Sequence, residues 1–439
     1  MKRIAIIGAG ISGLAAARQL ARGAHRVTLY EAGSHFGGHA HTVDVTLGGV
    51  SHGVDTGFLV YNERTYPRLV RLFAELGVEA AKSDMSFSVQ VPGRNIEWGG
   101  RNLASVFAQP ANLLRPAFWR MLSDLSRFNA LATQLAQEDG LDRLDQPIGA
   151  FLDEHRFSEE FRAWYLLPMI ACIWSCPTAQ MLEFPVATLI RFCHNHGLLQ
   201  VTNRPQWWTV RGGSREYVRR IVAALPDVRL ATPVRRVTRL DAGVLVATDD
   251  AAALYDEVVL DCHSDQALRL LGDDITAPEA QLLGAIRYQS NRAVLHTDTS
   301  LLPARRAAWA AWNYESGNGA SASTGSDRVC LHYLLNQLQP LPWQQPLIVS
   351  LNPVREPDAA QVIRAFDYAH PVFDRPAIEA QRRLRGIQGL RRTWFCGAWT
   401  GYGFHEDGLA SGLAVADAIA NEIADTKASA ATMALRSAA

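Results

Sequence analysis

Nowhere in this chain of 439 residues do about eighteen apolar residues run without interruption, the length that a membrane-spanning helix needs. The nearest stretch, Ala163 to Pro177, contains Pro168 and Ser175, so no spanning helix is expected. An excess of charge is also missing: Lys plus Arg and Asp plus Glu number 43 each. Without net charge or a basic run, the chain lacks the field that steers a protein to nucleic acid, and no such partner is expected. Cysteine is scarce, with Cys172, Cys176, Cys193, Cys262, Cys330 and Cys396 scattered along the chain. That spacing excludes a disulfide framework. Only Cys172 and Cys176 are close, and no second pair at zinc spacing follows, so both read as buried thiols. His35, His39, His41 and His52 lie near one another, but no acidic or cysteine partner accompanies them, and no metal is expected. A secretory leader is missing as well. Lys2-Arg3 and the apolar Ile4 to Ile7 mimic its start, but Gly8, Gly10 and Gly13 interrupt the run and no cleavage pattern follows. A cytoplasmic protein is expected.

What the chain does have is apolar content of 48% and charged content of 20%, a globular composition whose length calls for two or three domains. Its most informative stretch is the beginning. The apolar run Ile4 to Ile7 reads as a strand, Gly8-Ala9-Gly10-Ile11-Ser12-Gly13 as a G-x-G-x-x-G loop, and Leu14 to Ala21 as a helix. Arg26 to Tyr30 is a second strand ending at Glu31. In that setting Gly8 makes the tight turn, Gly10 lets backbone approach a pyrophosphate, and Gly13 lets helix and strand pack. The helix N-terminus offers free N–H groups to phosphate. Glu31 can accept both hydroxyls of an adenosine ribose. The stretch fits either dinucleotide, nicotinamide or flavin.

Beyond Glu31, Gly37-Gly38 lies in a loop. Thr42 to Leu47 and Val50 to Val60 form a hairpin carrying Gly57 and Phe58. Tyr66 to Leu76 is a helix stopped by Gly77. Ser86 to Trp98 alternates as two strands about Pro92-Gly93. From Leu103 to about Ala136, broken near Pro110 and Pro116, and again at Pro147 to Phe151 and Ser158 to Ala187, the pattern is helical and rich in large apolar groups. This block is either a helical core or the wall of an apolar pocket. Gly212-Gly213 feeds a helix from Arg215, and strands follow at 228–230, 234–240, 244–248 and 257–261. Arg292 to Thr297, Ala307 to Tyr314 and Val329 to Asn336 suggest a second sheet, Gly317 to Asp327 a surface loop, and Ala359 to Ala369 one more helix. Thr393 to Cys396 is a last strand, running through Gly397 to Gly408 into a helix from Leu409 to about Ala424.

Three separated motifs then agree. Gly8-x-Gly10-x-x-Gly13 with Glu31 and Gly37-Gly38, the middle return at Gln206 to Ser214 with Val234 to Val237, and Phe395 to Thr400 with Asp407 to Gly412 together resemble the amine oxidase and phytoene desaturase superfamily of FAD enzymes. Gly37-Gly38-His39-Ala40-His41-Thr42, Ile173-Trp174-Ser175 and Gly403-Phe404-His405-Glu406-Asp407-Gly408 are closest to a bacterial group of predicted NAD/FAD-binding, amine oxidase-like proteins associated with cyclopropane fatty acid synthase-like methyltransferases. The resemblance implies an α/β fold: a Rossmann-type FAD-binding domain of the glutathione-reductase kind (1–80, 205–285, 386–425), an interleaved α+β substrate domain (81–204, 286–385), and a flexible tail (426–439). It implies non-covalent FAD held by Gly8, Gly10, Ile11, Ser12, Gly13, Glu31, Gly37, Gly38, His39, Gly57, Phe58, Val234, Gly397, Glu406, Asp407 and Gly408. It places His405 and Glu406 beside the substrate as base or orienting groups.

Two departures stand out. Many relatives carry Arg at His39 and an acid at Ala398, so backbone N–H groups carry more of the pyrophosphate here. The aromatic that faces the flavin in amine oxidases falls on His405, which weakens an amine reading. The function implied is therefore a flavin oxidoreductase desaturating or oxidising a hydrophobic substrate such as a phospholipid acyl chain. Peripheral contact with the inner face of the membrane and a methyltransferase-like partner go with it. The alternatives are an FAD-dependent amine oxidase and a non-catalytic flavoprotein in a lipid-modifying complex.

Overall fold

The computed structural model describes all residues except 24, 139–140, 142–143, 145, 175–177, 201–203, 318–328 and 438–439, and no side chain of 178–179 or 422–437. Ser175, Cys176 and most of the loop read at 317–327 thus lie outside the described residues.

Strand Arg3–Ile7 stands in the middle of a five-stranded parallel sheet, in the spatial order 227–229, 26–30, 3–7, 257–260, 393–395. Ile4, Ala5 and Ile6 are fully buried. A parallel strand covered on both faces reads as an unbroken apolar run. Helix Ile11–Arg22 follows, with Ala15, Ala16 and Ala17 buried, and packs against the last helix, His405–Ser437. The crossing is close: a Cβ on Gly412 would stand 2.0 Å from the Ser12 carbonyl oxygen, and one on Gly408 2.7 Å from Ile11 Cγ2. The last helix begins four residues before Leu409 and extends past 425.

A seven-stranded sheet forms the other half. Its order is Val362–Val372, Arg287–His296, Ile348–Leu351, Cys330–Leu334, Trp312–Glu315, Phe87–Val91, Ile96–Gly99. Every neighbouring pair is antiparallel except Trp312–Glu315 with Phe87–Val91. Side chains alternate between the two faces. Phe87, Trp312 and Tyr333 look toward the main cavity. Ser88, Asn313, Glu315, Cys330, His332 and Ser350 occupy the other face and are also buried.

One expectation fails here. Residues 359–369 form no α-helix: a short turn, Ala359–Gln361, leads into the edge strand Val362–Val372, paired along its length with Arg287–His296. Alanines and arginine mimic a helix, but Val362, Ile363, Phe366 and Tyr368 suit a sheet, and the waiting neighbour strand decides. An edge also tolerates Pro371, whose missing N–H interrupts no central ladder.

Helices Pro116–Gln137, Ile148–Glu154, Leu167–Trp174 and Val186–Asn195 pack with the seven-stranded sheet into one core. The helix entering Leu167–Trp174 widens over Arg162–Leu166. Pro168 gives the reason: it has no N–H for the carbonyl of Trp164 four residues earlier. Trp98 Nε1 donates to that carbonyl instead, at 3.1 Å.

Candidate active site

Gly8 leaves its strand at φ +108°, and a Cβ there would lie 1.8 Å from the Asp261 carbonyl oxygen. Gly10 precedes a helix with no cap from its own N-cap residue; the Gly10 and Gly13 N–H groups bond the Asp261 carboxyl, which leaves those of Ile11 and Ser12 in the first turn to an anion. Gly13 does not line the cavity; a Cβ on it would meet the Gly8 carbonyl oxygen at 2.2 Å, so its part is packing. The second glycine pair lies on the first. Gly37 N donates to the Ala9 carbonyl at 2.8 Å, and a Cβ on Gly38 would stand 3.3 Å from Gly10 Cα. Glu31 accepts from Ala9 N at 3.0 Å and Gly33 N at 2.7 Å. Its carboxylate has lone pairs to spare and lines the cavity.

That cavity measures about 800 Å³. From Gly8, Gly10, Ile11 and Ser12 it passes Gly37, Gly38, His39, Gly57, Phe58, Val234 and Gly397, and it ends among Met85, Phe87, Met169, Ile173, Phe192, Leu198, Trp207, Trp312, Tyr333 and Phe404. Among the described residues that line it from 58–207 and 288–371, none is Asp, Glu, Lys or Arg.

The expected groups of the final turn separate. His405 lines the cavity, with its ring stacked on Phe58 at 3.8 Å and 10° and its Nε2 2.6 Å from the Tyr217 hydroxyl. Burial lowers its pKa to about 3, while burial raises that of Tyr217 well above the usual value. Both groups are therefore neutral near pH 7 and share one hydrogen bond. A neutral ring of low basicity suits the orienting role expected of His405 better than that of a base.

Glu406 corrects the sequence reading twice, because it lines neither the cofactor loops nor the substrate end. Its carboxylate accepts from Arg68 N and Leu69 N, each at 3.0 Å. Helix Pro67–Leu76 has no side-chain cap of its own, and Glu406 fills that role from across the chain. Asp407 is also absent from the cavity wall. It accepts from Phe404 N at 2.9 Å and holds the 401–407 turn, and burial lifts its pKa to about 6. Gly408 belongs to the helix crossing described above.

His39 does line the cavity. Burial, with His370 nearby, holds its pKa well below the usual value, so it is neutral. Its Nε2 is buried without a hydrogen-bond partner among the described residues.

Sequence reading missed Asp261. It ends the apolar run Val258-Val259-Leu260, beside the glycine loop, and lines the cavity. Burial raises its pKa to about 8, against the lowering effect of Gly13 N–H, the Ser12 hydroxyl and Gly10 N–H. The signal was present as an acid closing an otherwise apolar strand. Tyr217 was also missed, since nothing local ties helix Arg215–Val222 to residue 405.

A loop that offers backbone N–H groups, with an acid on the neighbouring strand, suits the diphosphate and ribose of a dinucleotide. The helix opening at the glycine loop, the His39 nitrogen without a partner among the described residues and the glycines whose side chains would collide with the walls all fit that group. The chamber beyond leaves room for a flavin and a substrate. Fold and site define an FAD-binding flavoprotein.

The chain belongs to the flavin containing amine oxidoreductase family, whose profile matches residues 11–334. AofH of Mycobacterium tuberculosis, provisionally named a flavin-containing monoamine oxidase, is 27% identical over 292 residues, covering 64% of this chain. The match spans 61% of the length of that curated relative. A CLA-producing fatty acid isomerase from P. acnes shares the fold at TM-score 0.67 and 17% identity, over 96% of this chain and 98% of its own. Cyclohexylamine oxidase from Brevibacterium oxydans IH-35A does so at 0.67 and 17%, over 96% and 99%.

Proposed function

We propose that the protein oxidises or desaturates a hydrophobic substrate, an acyl chain of a membrane lipid being the best fit. The observation that carries this reading is the far end of the cavity, walled by apolar and aromatic side chains, with no Asp, Glu, Lys or Arg among the described residues that line it from 58–207 or 288–371. Bound FAD supplies a two-electron acceptor that takes a hydride equivalent from a C–H bond. The chain's own residues do the rest. The walls desolvate the alkyl chain and exclude water, Glu31 and the glycine loops fix the cofactor's adenosine end, and Tyr217 and Phe58 hold His405 as a neutral wall.

A bilayer as source is supported by the surface. Leu103, Leu114 and Trp119 are exposed by 77%, 89% and 49% on three consecutive elements, 103–106, 110–114 and 116–137. Such a patch suits shallow contact with a membrane. No helix among the described residues is long and apolar enough to cross one. The methyltransferase-like partner is part of the same proposal, and stable co-purification would support it.

The family match favours a second reading, oxidation of an amine, since aromatic faces such as Phe404 and Trp312 can hold a cation. Anaerobic titration separates the readings. Fractionated lipids are expected to bleach the flavin band of the purified yellow protein. Bleaching by amines but by no lipid overturns the acyl reading. A flavin that stays oxidised with every donor makes the protein a non-catalytic component.

A further inference from the structure

The apolar face of the seven-stranded sheet serves the cavity. The proposed function uses nothing on its other face, where three ligand-type side chains meet. Cys330 and His332 share that face of strand Cys330–Leu334, and Glu315 pairs directly with Cys330 on the neighbouring strand. The three residues are 1%, 0% and 7% exposed, respectively. His332 Nε2 lies 3.0 Å from Glu315 Oε2 and 3.4 Å from Cys330 Sγ, and Sγ lies 4.0 Å from Oε2.

A nucleophilic triad would place acid and thiol on opposite nitrogens of the ring. Here both face the same nitrogen, so the three atoms converge on a point instead of forming a relay. Tetrahedral zinc, with sulfur near 2.3 Å and nitrogen or oxygen at about 2.0–2.2 Å, separates such ligand atoms by about 3.4–3.6 Å. The observed separations bracket that range.

The imidazole is held in place from behind. Asp298 N donates to His296 Nδ1 at 3.1 Å, which leaves the His296 proton on Nε2. That nitrogen faces Ser350 Oγ at 2.7 Å, and the same oxygen lies 2.7 Å from His332 Nδ1. An outer partner on the second ring nitrogen is the usual companion of a metal-bound histidine. Glu315 also lines a second cavity, of about 520 Å³, between 90–97 and 299–309. This gives an ion a way in and a water room to be the fourth ligand.

We propose that Glu315, Cys330 and His332 bind one divalent transition metal of the zinc class. A mixed sulfur, nitrogen and oxygen set selects zinc or cobalt over magnesium and calcium, which take oxygen alone. The proposal does not depend on the flavin substrate.

The test uses the full-length yellow protein, equilibrated with zinc or with cobalt and then desalted. Elemental analysis is expected to find one metal per chain, and the cobalt form is expected to show a thiolate charge-transfer band. Cys330→Ser and His332→Gln are expected to lose stoichiometric binding, while Cys193→Ser, at a buried thiol elsewhere, keeps it. Flavin content and circular dichroism identify variants that have simply unfolded; the wild-type cobalt spectrum needs no variant. Less than a tenth of a metal per wild-type chain, a cobalt spectrum without the thiolate band, or full binding by folded Cys330→Ser each overturns the proposal and leaves a buried His–Glu hydrogen bond only.

Discussion

The two ends of the main cavity are built on different plans. The glycine end comes largely from residues 8–13 and 31–38, uses mostly backbone, and tolerates almost no side-chain volume. The aromatic end takes Phe87, Phe192, Trp207, Trp312 and Tyr333 from five separate elements and Phe404 from a turn, and uses almost only side-chain volume. A backbone-built site recognises a part common to many ligands, here a diphosphate, and it is intolerant of change. A side-chain-built site can be reshaped residue by residue, which is where substrate choice resides.

Substitutions at the two ends should therefore fail differently. The largest effect is expected from Gly10→Val. Even a bare Cβ there would stand 3.1 Å from Asp261 Oδ2, and the added methyls would fill the diphosphate cradle. The variant should purify without FAD; a fully yellow protein would refute the assignment of this loop. Phe192→Ala, at the aromatic end, removes a ring 5% exposed that stacks on Phe404 at 5.0 Å and on His196 at 3.9 Å. It should cost about 3–5 kcal/mol in urea unfolding yet leave the folded protein yellow.

Asp261→Asn probes the glycine end more gently. The folded carboxyl holds its proton up to about pH 8, whereas an unfolded one releases it near pH 4. The native state therefore binds the extra proton, and stability is lost as pH rises between those values. Relative to wild type, the Asn variant should gain about 2–4 kcal/mol between pH 5 and pH 8 and change little above, measured by urea unfolding at each pH. The smallest effect is expected from Tyr217→Phe, which keeps the ring but leaves His405 Nε2 without its hydrogen-bond partner. Its cost should be about 1–3 kcal/mol in the urea midpoint, with no loss of FAD.

The same contrast explains what could be read from the sequence. Gly8, Gly10, Gly13, Glu31 and Gly37-Gly38 announced themselves because their roles are local. Each depends on φ, on close approach or on a short reach along the chain. Glu406 was misplaced because its partners, the N–H groups of Arg68 and Leu69, lie 338 and 337 residues away. Tyr217 meets His405 across 188 residues, and no periodicity encodes such a pairing. The edge strand at 362–372 was taken for a helix because its composition is neutral between the two states and only its neighbour resolves it. Glu315, Cys330 and His332 had no motif spacing, since a sheet ladder and not a loop brings them together.

The clasp between the first helix and the last carries a consequence for synthesis. Strand Arg3–Ile7 is made about 390 residues before Thr393–Phe395 finishes its sheet, and Ser12 meets its partner Gly412 later still. At about 5–20 residues per second, roughly 20–80 s pass between these events. During that interval the apolar run Ile4 to Ile7 has no finished sheet to rest in, and the nascent chain depends on chaperones or on provisional contacts. Cofactor loading is accordingly a late step, and the yellow colour of a preparation counts the chains in which the clasp has closed.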